Sequence, residues 1–222
     1  MRSLPQHLSK VPVGREKVSR EVLVSFQRER VLVAATGVFA KRGYQKTTVG
    51  HIVAAARISV GNFYQHFDNK EDCFLAAFDG IVEGGRERLA ESSTADMSWS
   101  ARAYGALAKL LEIYVEDPLA ARVVLVEAQT AGEAATARYN LLVDAAASWL
   151  RQGRREYPHA GRLPETFEQA AVAGTAYFLH QRLLKPAKRS ASQLLGETAP
   201  VILEPIIGAA EMRKLEALVI SG

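Results

Sequence analysis

Residues 47–70, TTVGHIVAAARISVGNFYQHFDNK, constrain this chain more than any other stretch. They hold two short helical patterns with room between them only for a tight turn. Thr47 or Thr48 can cap the first helix with its hydroxyl, and Ile52 with the neighbouring alanines gives it a small, smooth apolar face that lets a second helix approach closely. Ala56-Arg57-Ile58 makes the turn, with Ile58 as its plug, and Ser59 can cap the helix that follows. In that second helix, read over residues 59–67, Phe63 and Phe67 stand four apart and anchor one face in a core. Gly61, Asn62, Gln65 and His66 then fall on the other side, with Tyr64 at the margin. No Asp or Glu occurs from residue 47 to residue 67, so nothing on this polar face would repel phosphate. Asn and Gln are also the side chains that pair with base edges in a major groove.

Charge supports a division of the chain at the end of this stretch. Residues 1–70 carry 12 Lys/Arg against 4 Asp/Glu, whereas residues 71–222 carry 16 against 20. A basic module followed by a mildly acidic one places the polyanion-binding surface in the first part. The expected organisation is therefore a basic arm over residues 1–24, a DNA-binding domain over 25–70 and a larger helical domain over 71–222. The arm, with Pro5, Pro12 and Gly14, is expected either to reach DNA phosphates and a minor groove or to be a terminus without a role.

The rest of the chain reads as helix throughout, with no strand pattern and no internal repeat. Residues 26–42 form an amphipathic helix closed by Lys41-Arg42-Gly43. Asp68 and Glu71 stand at capping-box spacing and open a long connecting helix over about 71–90, which Gly84-Gly85 could bend. A polar linker at residues 91–96 separates it from a helix capped by Ser98. Asp117-Pro118 stops that helix and starts another over 119–129. Further helices are expected over 133–155, 165–184 and 193–207, the last disturbed by Pro200 and Pro205, with a short amphipathic tail over 209–220. About nine or ten helices result, and the fold class is all-α.

The segment Phe39-Ala40-Lys41-Arg42-Gly43-Tyr44, then Thr47-Thr48, Ile52 and Ala56, then Ile58-Ser59-Val60-Gly61-Asn62-Phe63-Tyr64-Gln65-His66-Phe67, then Asn69-Lys70-Glu71, resembles the DNA-binding signature of the TetR family of transcriptional regulators. The resemblance covers residues 26–78. It departs at Arg57, where the family often has glycine, a residue that tolerates positive φ without cost. The resemblance implies a three-helix head whose third helix lies in the major groove of a double-stranded DNA operator. Val60, Gly61, Asn62 and Gln65, with Tyr64, would meet base edges. Thr48, Tyr64, His66 and Lys70 would meet phosphates, with Ser59 capping the reading helix and Arg57 offering one more cation.

The same resemblance implies that the helices near 165–184 and 192–207 pair with their copies in a homodimer, which the small residues 170–174 would favour. It also implies a cavity for a small-molecule effector, apolar or aromatic, among the body helices. Trp99, Tyr114, Glu127, Gln129, Tyr139, Trp149, Tyr177 and His180 are the candidates to line it, since aromatic walls with few polar groups suit such sites. The expected function is a ligand-responsive repressor; an effector-independent DNA-binding or protein-interacting factor, or an activator, are the alternatives.

Other classes find little support. The chain contains no G-x-S-x-G, no P-loop, no H-E-x-x-H and no cysteine cluster, so neither an enzyme nor a metal or cofactor site is expected. Cys73 is the single cysteine and is expected to pack as a small hydrophobe rather than to sense redox state. No apolar run approaches the roughly 20 residues needed to span a bilayer, and no secretory h-region stands at the N-terminus. The cytoplasm is the expected location, with no membrane partner.

Overall fold

The computed structural model describes residues 20–91, 97–185 and 189–220. Most of the basic arm (residues 1–19), the linker at 92–96 and the centre of the basic loop (186–188) lie outside the described residues. Among those described there are eleven α-helices and no strand. Among the described residues no helix is long and apolar enough to cross a membrane.

Helix α1 spans Arg20–Arg42, beginning earlier than its periodicity suggests and taking in the end of the expected arm. It is closed by Gly43 at φ 80°, whose N–H returns to the Phe39 carbonyl at 2.9 Å. Helices α2 (Val49–Ala56) and α3 (Val60–Tyr64) pack across it as a compact head. Helix α4 (Lys70–Ala90) leads out of the head without interruption at Gly84-Gly85. Its cap is Asn69, which accepts the Asp72 N–H at 2.9 Å. The cap is therefore one residue later than the expected Asp68, because Asn caps as well as Asp, and the Asp72 carboxylate accepts the Asp68 N–H at 3.1 Å in place of the expected Asp68–Glu71 capping box.

The body holds α5 (Trp99–Glu116, capped by Ser98) and α6 (Pro118–Leu125, capped by Asp117 with Pro118 in the first turn). After them come α7 (Glu133–Arg151), α8 (Phe167–Leu183), α9 (Ala191–Ile202), α10 (Glu204–Ile207) and α11 (Ala209–Ile220). Three expected helices are shorter than their patterns. Helix α6 gives way at Val126 to a single 3-10 turn over Glu127–Gln129. Helix α7 gives way at Gln152 to another 3-10 turn. Residues 193–207 are two helices rather than one, broken at Leu203, since Pro205 cannot donate to the preceding turn and its ring crowds it. The expected loop at 158–164 is mostly a 3-10 turn, Pro158–Arg162.

Two apolar clusters organise the molecule, and their division is not at residue 70. The first joins Val31, Phe39, Ile52, Phe63, Phe67 and Phe74 to Val123, Ala128, Ala131 and Ala135 of the body. Helix α6 and the start of α7 thus complete the core of the head. The second cluster centres on Trp99, Leu111, Leu150, Leu194, Leu203 and Ile206. In it the Trp99 indole lies 5.9 Å from that of Trp149 and against Gly153, where an added Cβ would stand 2.5 Å from the ring. That close approach explains the glycine, whose place no backbone angle requires. Beside this cluster Glu168 is fully buried and takes a two-pronged bond from Arg154 at 2.6 and 2.9 Å, while Arg154 also holds the Leu163 and Pro164 carbonyls.

Candidate DNA interface

Thr48 caps α2: its Oγ1 accepts the His51 N–H at 3.3 Å, and its own N–H donates to His51 Nδ1 at 3.2 Å. The buried side of α2 is Ile52, Val53 and Ala56; Ala55, expected on the apolar face, is exposed. The helix ends at Arg57, the one non-glycine residue at positive φ among those described (φ 55°, ψ 50°). Holding an arginine in this left-handed region costs roughly 1–2 kcal/mol. From α1, Arg30 donates to the Ala56 carbonyl at 3.2 Å and ties down the end of α2.

Ser59 caps α3, its Oγ accepting the Asn62 N–H at 3.1 Å. The helix is five residues long, shorter than expected, because a turn begins at Gln65. Phe63 and Phe67 are buried with their rings 5.5 Å apart, and the Arg28 guanidinium lies 5.2 Å above Phe67. This anchoring fixes what α3 turns outward. Ser59, Val60, Gly61, Tyr64 and Gln65 are exposed, as are Thr48 and Arg57. Tyr64 is 53% exposed, which excludes a core role for it. Asn62 is half-buried; its Nδ2 donates to Gln65 Oε1 at 3.3 Å, while its Oδ1 has no protein partner. The two amides therefore hold one another in a common orientation.

His66 is half-buried, and burial, reinforced by the Arg28 charge, lowers its pKa from the usual 6.5. Lys70 is already engaged: its ammonium donates to the Tyr44 carbonyl at 3.0 Å and stands 4.0 Å above the Tyr44 ring. This uses one of its three N–H donors. Cys73 is fully buried, and burial pushes its thiol up to about 12, the range of an inert packing residue.

The family match follows this geometry closely. The model for bacterial regulatory proteins of the tetR family matches residues 31–77, from α1 into α4. Residues 31–77 are a tetR-family DNA-binding domain. Within that domain the chain is 44% identical over 48 residues to the transcriptional regulator QacR of Staphylococcus aureus, a match covering 22% of this chain and 26% of that protein. The matched segment thus spans about a quarter of the length of this curated relative. Beyond it the likeness is one of fold. The fatty acid degradation regulator FadR of Bacillus halodurans superposes with a TM-score of 0.70 at 17% identity, covering 87% of this chain and 98% of that one. FadR of Bacillus subtilis, solved in complex with stearoyl-CoA, does so at 0.64 and 19% identity, covering 81% and 98%.

The eight residues expected to line an effector pocket in the body do not converge on one site. Trp99, Tyr114 and Trp149 belong to the second core cluster. Tyr114 donates to the Leu179 carbonyl at 3.0 Å, and burial raises its pKa. His180 Nδ1 lies 2.9 Å from the Leu125 carbonyl oxygen, with the exposed Tyr177 ring stacked against it at 6.2 Å. Gln129 is exposed and donates to Leu125 of its own turn. Glu127 is buried at the joint with the head, where it accepts the Tyr44 N–H. Tyr139 borders a groove of about 510 Å³ between α7 and α8, together with Asn140, Val143, Asp144, Gln169 and Ala170. Residue type marked these side chains as fit for a pocket, but it could not show that backbone carbonyls and core neighbours already occupy most of them. The contacts of Arg28, Arg30 and Tyr44 carried no signal in the sequence, since each depends on a partner at least 26 residues away.

Proposed function

We propose that this chain is a homodimeric, ligand-responsive transcriptional regulator acting as a repressor, released from a palindromic operator by a small apolar or aromatic effector. The observation that carries the reading is the outward face of α3, polar, free of acidic groups and held by Phe63 and Phe67 from behind. Val60, Gly61, Asn62 and Gln65, with Tyr64, would read bases from the major groove. Thr48, Arg57, Tyr64, His66 and the remaining donors of Lys70 would grip phosphates. Helix α8 exposes Ala170, Ala173, Gly174 and Tyr177, and α9 exposes Gly196 and Val201, which supports pairing with a second copy. A twofold would set the recognition helices about 34–36 Å apart, one turn of DNA. Because the Bacillus subtilis FadR was solved with stearoyl-CoA, acyl-CoA thioesters are the first effectors to titrate. An effector would release DNA only through its unequal affinity for two states of the dimer, typically about 1–3 kcal/mol.

The test is fluorescence anisotropy of the full chain with a duplex from upstream of its own coding sequence, across a salt series. Binding should weaken steeply with salt, in proportion to the phosphates neutralised; no binding at low salt would defeat the proposal. Asn62→Ala and Gln65→Ala should each change base preference by about 1–3 kcal/mol at one half-site position. Unchanged preference in both would mean that another face reads the DNA. Arg57→Gly should raise thermal stability, by relieving roughly 1 kcal/mol of backbone strain, while lowering affinity for all sequences and reducing the salt slope by about 0.9. A salt slope equal to that of the wild type would remove Arg57 from the phosphate contacts.

A further inference from the structure

The C-terminus of α1 is finished by a residue from the body. Gly43 closes α1 through its own bond to Phe39, which leaves the next N–H, that of Tyr44, without a partner in the helix. Glu127 supplies it: Oε2 accepts the Tyr44 N–H at 2.8 Å, across 83 residues of sequence. The carboxylate is 4% exposed, and its Oε1 lies 3.3 Å from Arg122 Nε. A carboxylate beside a helix C-terminus opposes the helix dipole, so Arg122 and the Tyr44 N–H must hold it there. Two further bonds join the same places. Gln45 donates to the Thr130 carbonyl at 2.7 Å, and Lys70 clamps the Tyr44 carbonyl from the start of α4. Residues 43–48 set the angle between α1 and α2, and so the aim of α3. Their grip comes from the turn between α6 and α7, in addition to the connecting helix α4.

We infer that Glu127 is a positioning residue for DNA binding: its bond to the Tyr44 N–H carries the state of α6 to the head and the state of the head to α6. The inference rests on the regulatory reading above and assigns the route by which the two parts of the chain respond to one another. Such coupling is reciprocal, so DNA alone can reveal it before any effector is known.

The experiment is hydrogen exchange by mass spectrometry on the full chain, with and without the duplex from upstream of its own coding sequence. In the wild type, DNA should slow exchange in residues 119–135 as well as in the head. In Glu127→Ala the free protein should exchange roughly tenfold faster over residues 43–56, the factor one lost buried hydrogen bond is worth. DNA should still bind it, with no change over 119–135. Glu127→Gln keeps an oxygen for the Tyr44 N–H and should restore the wild-type response; Glu127→Leu, filling the space without an acceptor, replaces the alanine variant if that fails to fold. A DNA response over 119–135 that persists without the acceptor would overturn the inference, as would its absence in wild type that binds DNA or its loss in Glu127→Gln. A wild-type chain that binds no duplex at low salt would defeat the regulatory reading itself, and this inference with it.

Discussion

Arg154→Ala should destabilise the chain by about 3–5 kcal/mol, because it removes the main partner of a fully buried carboxylate. The one cation left beside Glu168 among the described residues would be Arg151, 3.6 Å away and largely exposed. The Leu163 and Pro164 carbonyls would lose their donor as well. For a chain of this length the midpoint of thermal unfolding should fall by roughly 10 °C. The pH dependence gives a second check. Burial alone would raise the Glu168 pKa, but the bonds from Arg154 outweigh it and hold the carboxyl below its usual 4.5. A depressed carboxylate contributes stability that is complete above its unfolded value and is lost as pH falls through the folded one. The wild-type advantage over Arg154→Ala should therefore be full at neutral pH and shrink below pH 4.5. Urea titrations at neutral and acid pH measure it, and an advantage of equal size at both would show that the pair is not its source.

Phe63→Ala should cost about 3–5 kcal/mol, the range for emptying a buried aromatic site, and should abolish specific DNA binding while the chain as a whole remains folded, because α3 loses its anchor. Phe63 is fully buried, packs against Phe67 with the rings tilted by 42° and, with Phe67, sets the face that α3 turns outward. His66, next along, adds a pH term in the same place. Its lowered pKa means the unfolded head takes up a proton first, so stability is complete above 6.5 and is lost as pH falls below it. Because the first apolar cluster runs from α1 through α7, the variant should still melt in a single transition by far-ultraviolet circular dichroism. A separate low-temperature transition for the head would show that the body does not complete its core.

Local chemistry was legible from the sequence. Ser59 and Ser98 cap the helices expected of them, since a cap needs only a side chain and the next turn of backbone. The spacing of Phe63 and Phe67 oriented α3 for the same reason. Features decided by distant partners were not legible. Residue type makes Glu127 a candidate to line a pocket; its partner is a backbone N–H that no side-chain pattern marks. Gly153, in the 3-10 turn after α7, has an indole from α5 lying against it, a contact that no local pattern marks. The boundary at residue 70 follows the charge of the chain, which is a surface property, whereas the apolar core crosses it.

The pairing of Trp99 with Trp149 has a spectroscopic consequence. These are the only two tryptophans in the chain, and both belong to the second core cluster, away from the head. Intrinsic emission therefore reports on α5 and α7 and is blind to the reading face itself. A change in emission when DNA is added would be a signal relayed through the body, and its amplitude would measure the communication between the two parts without any label.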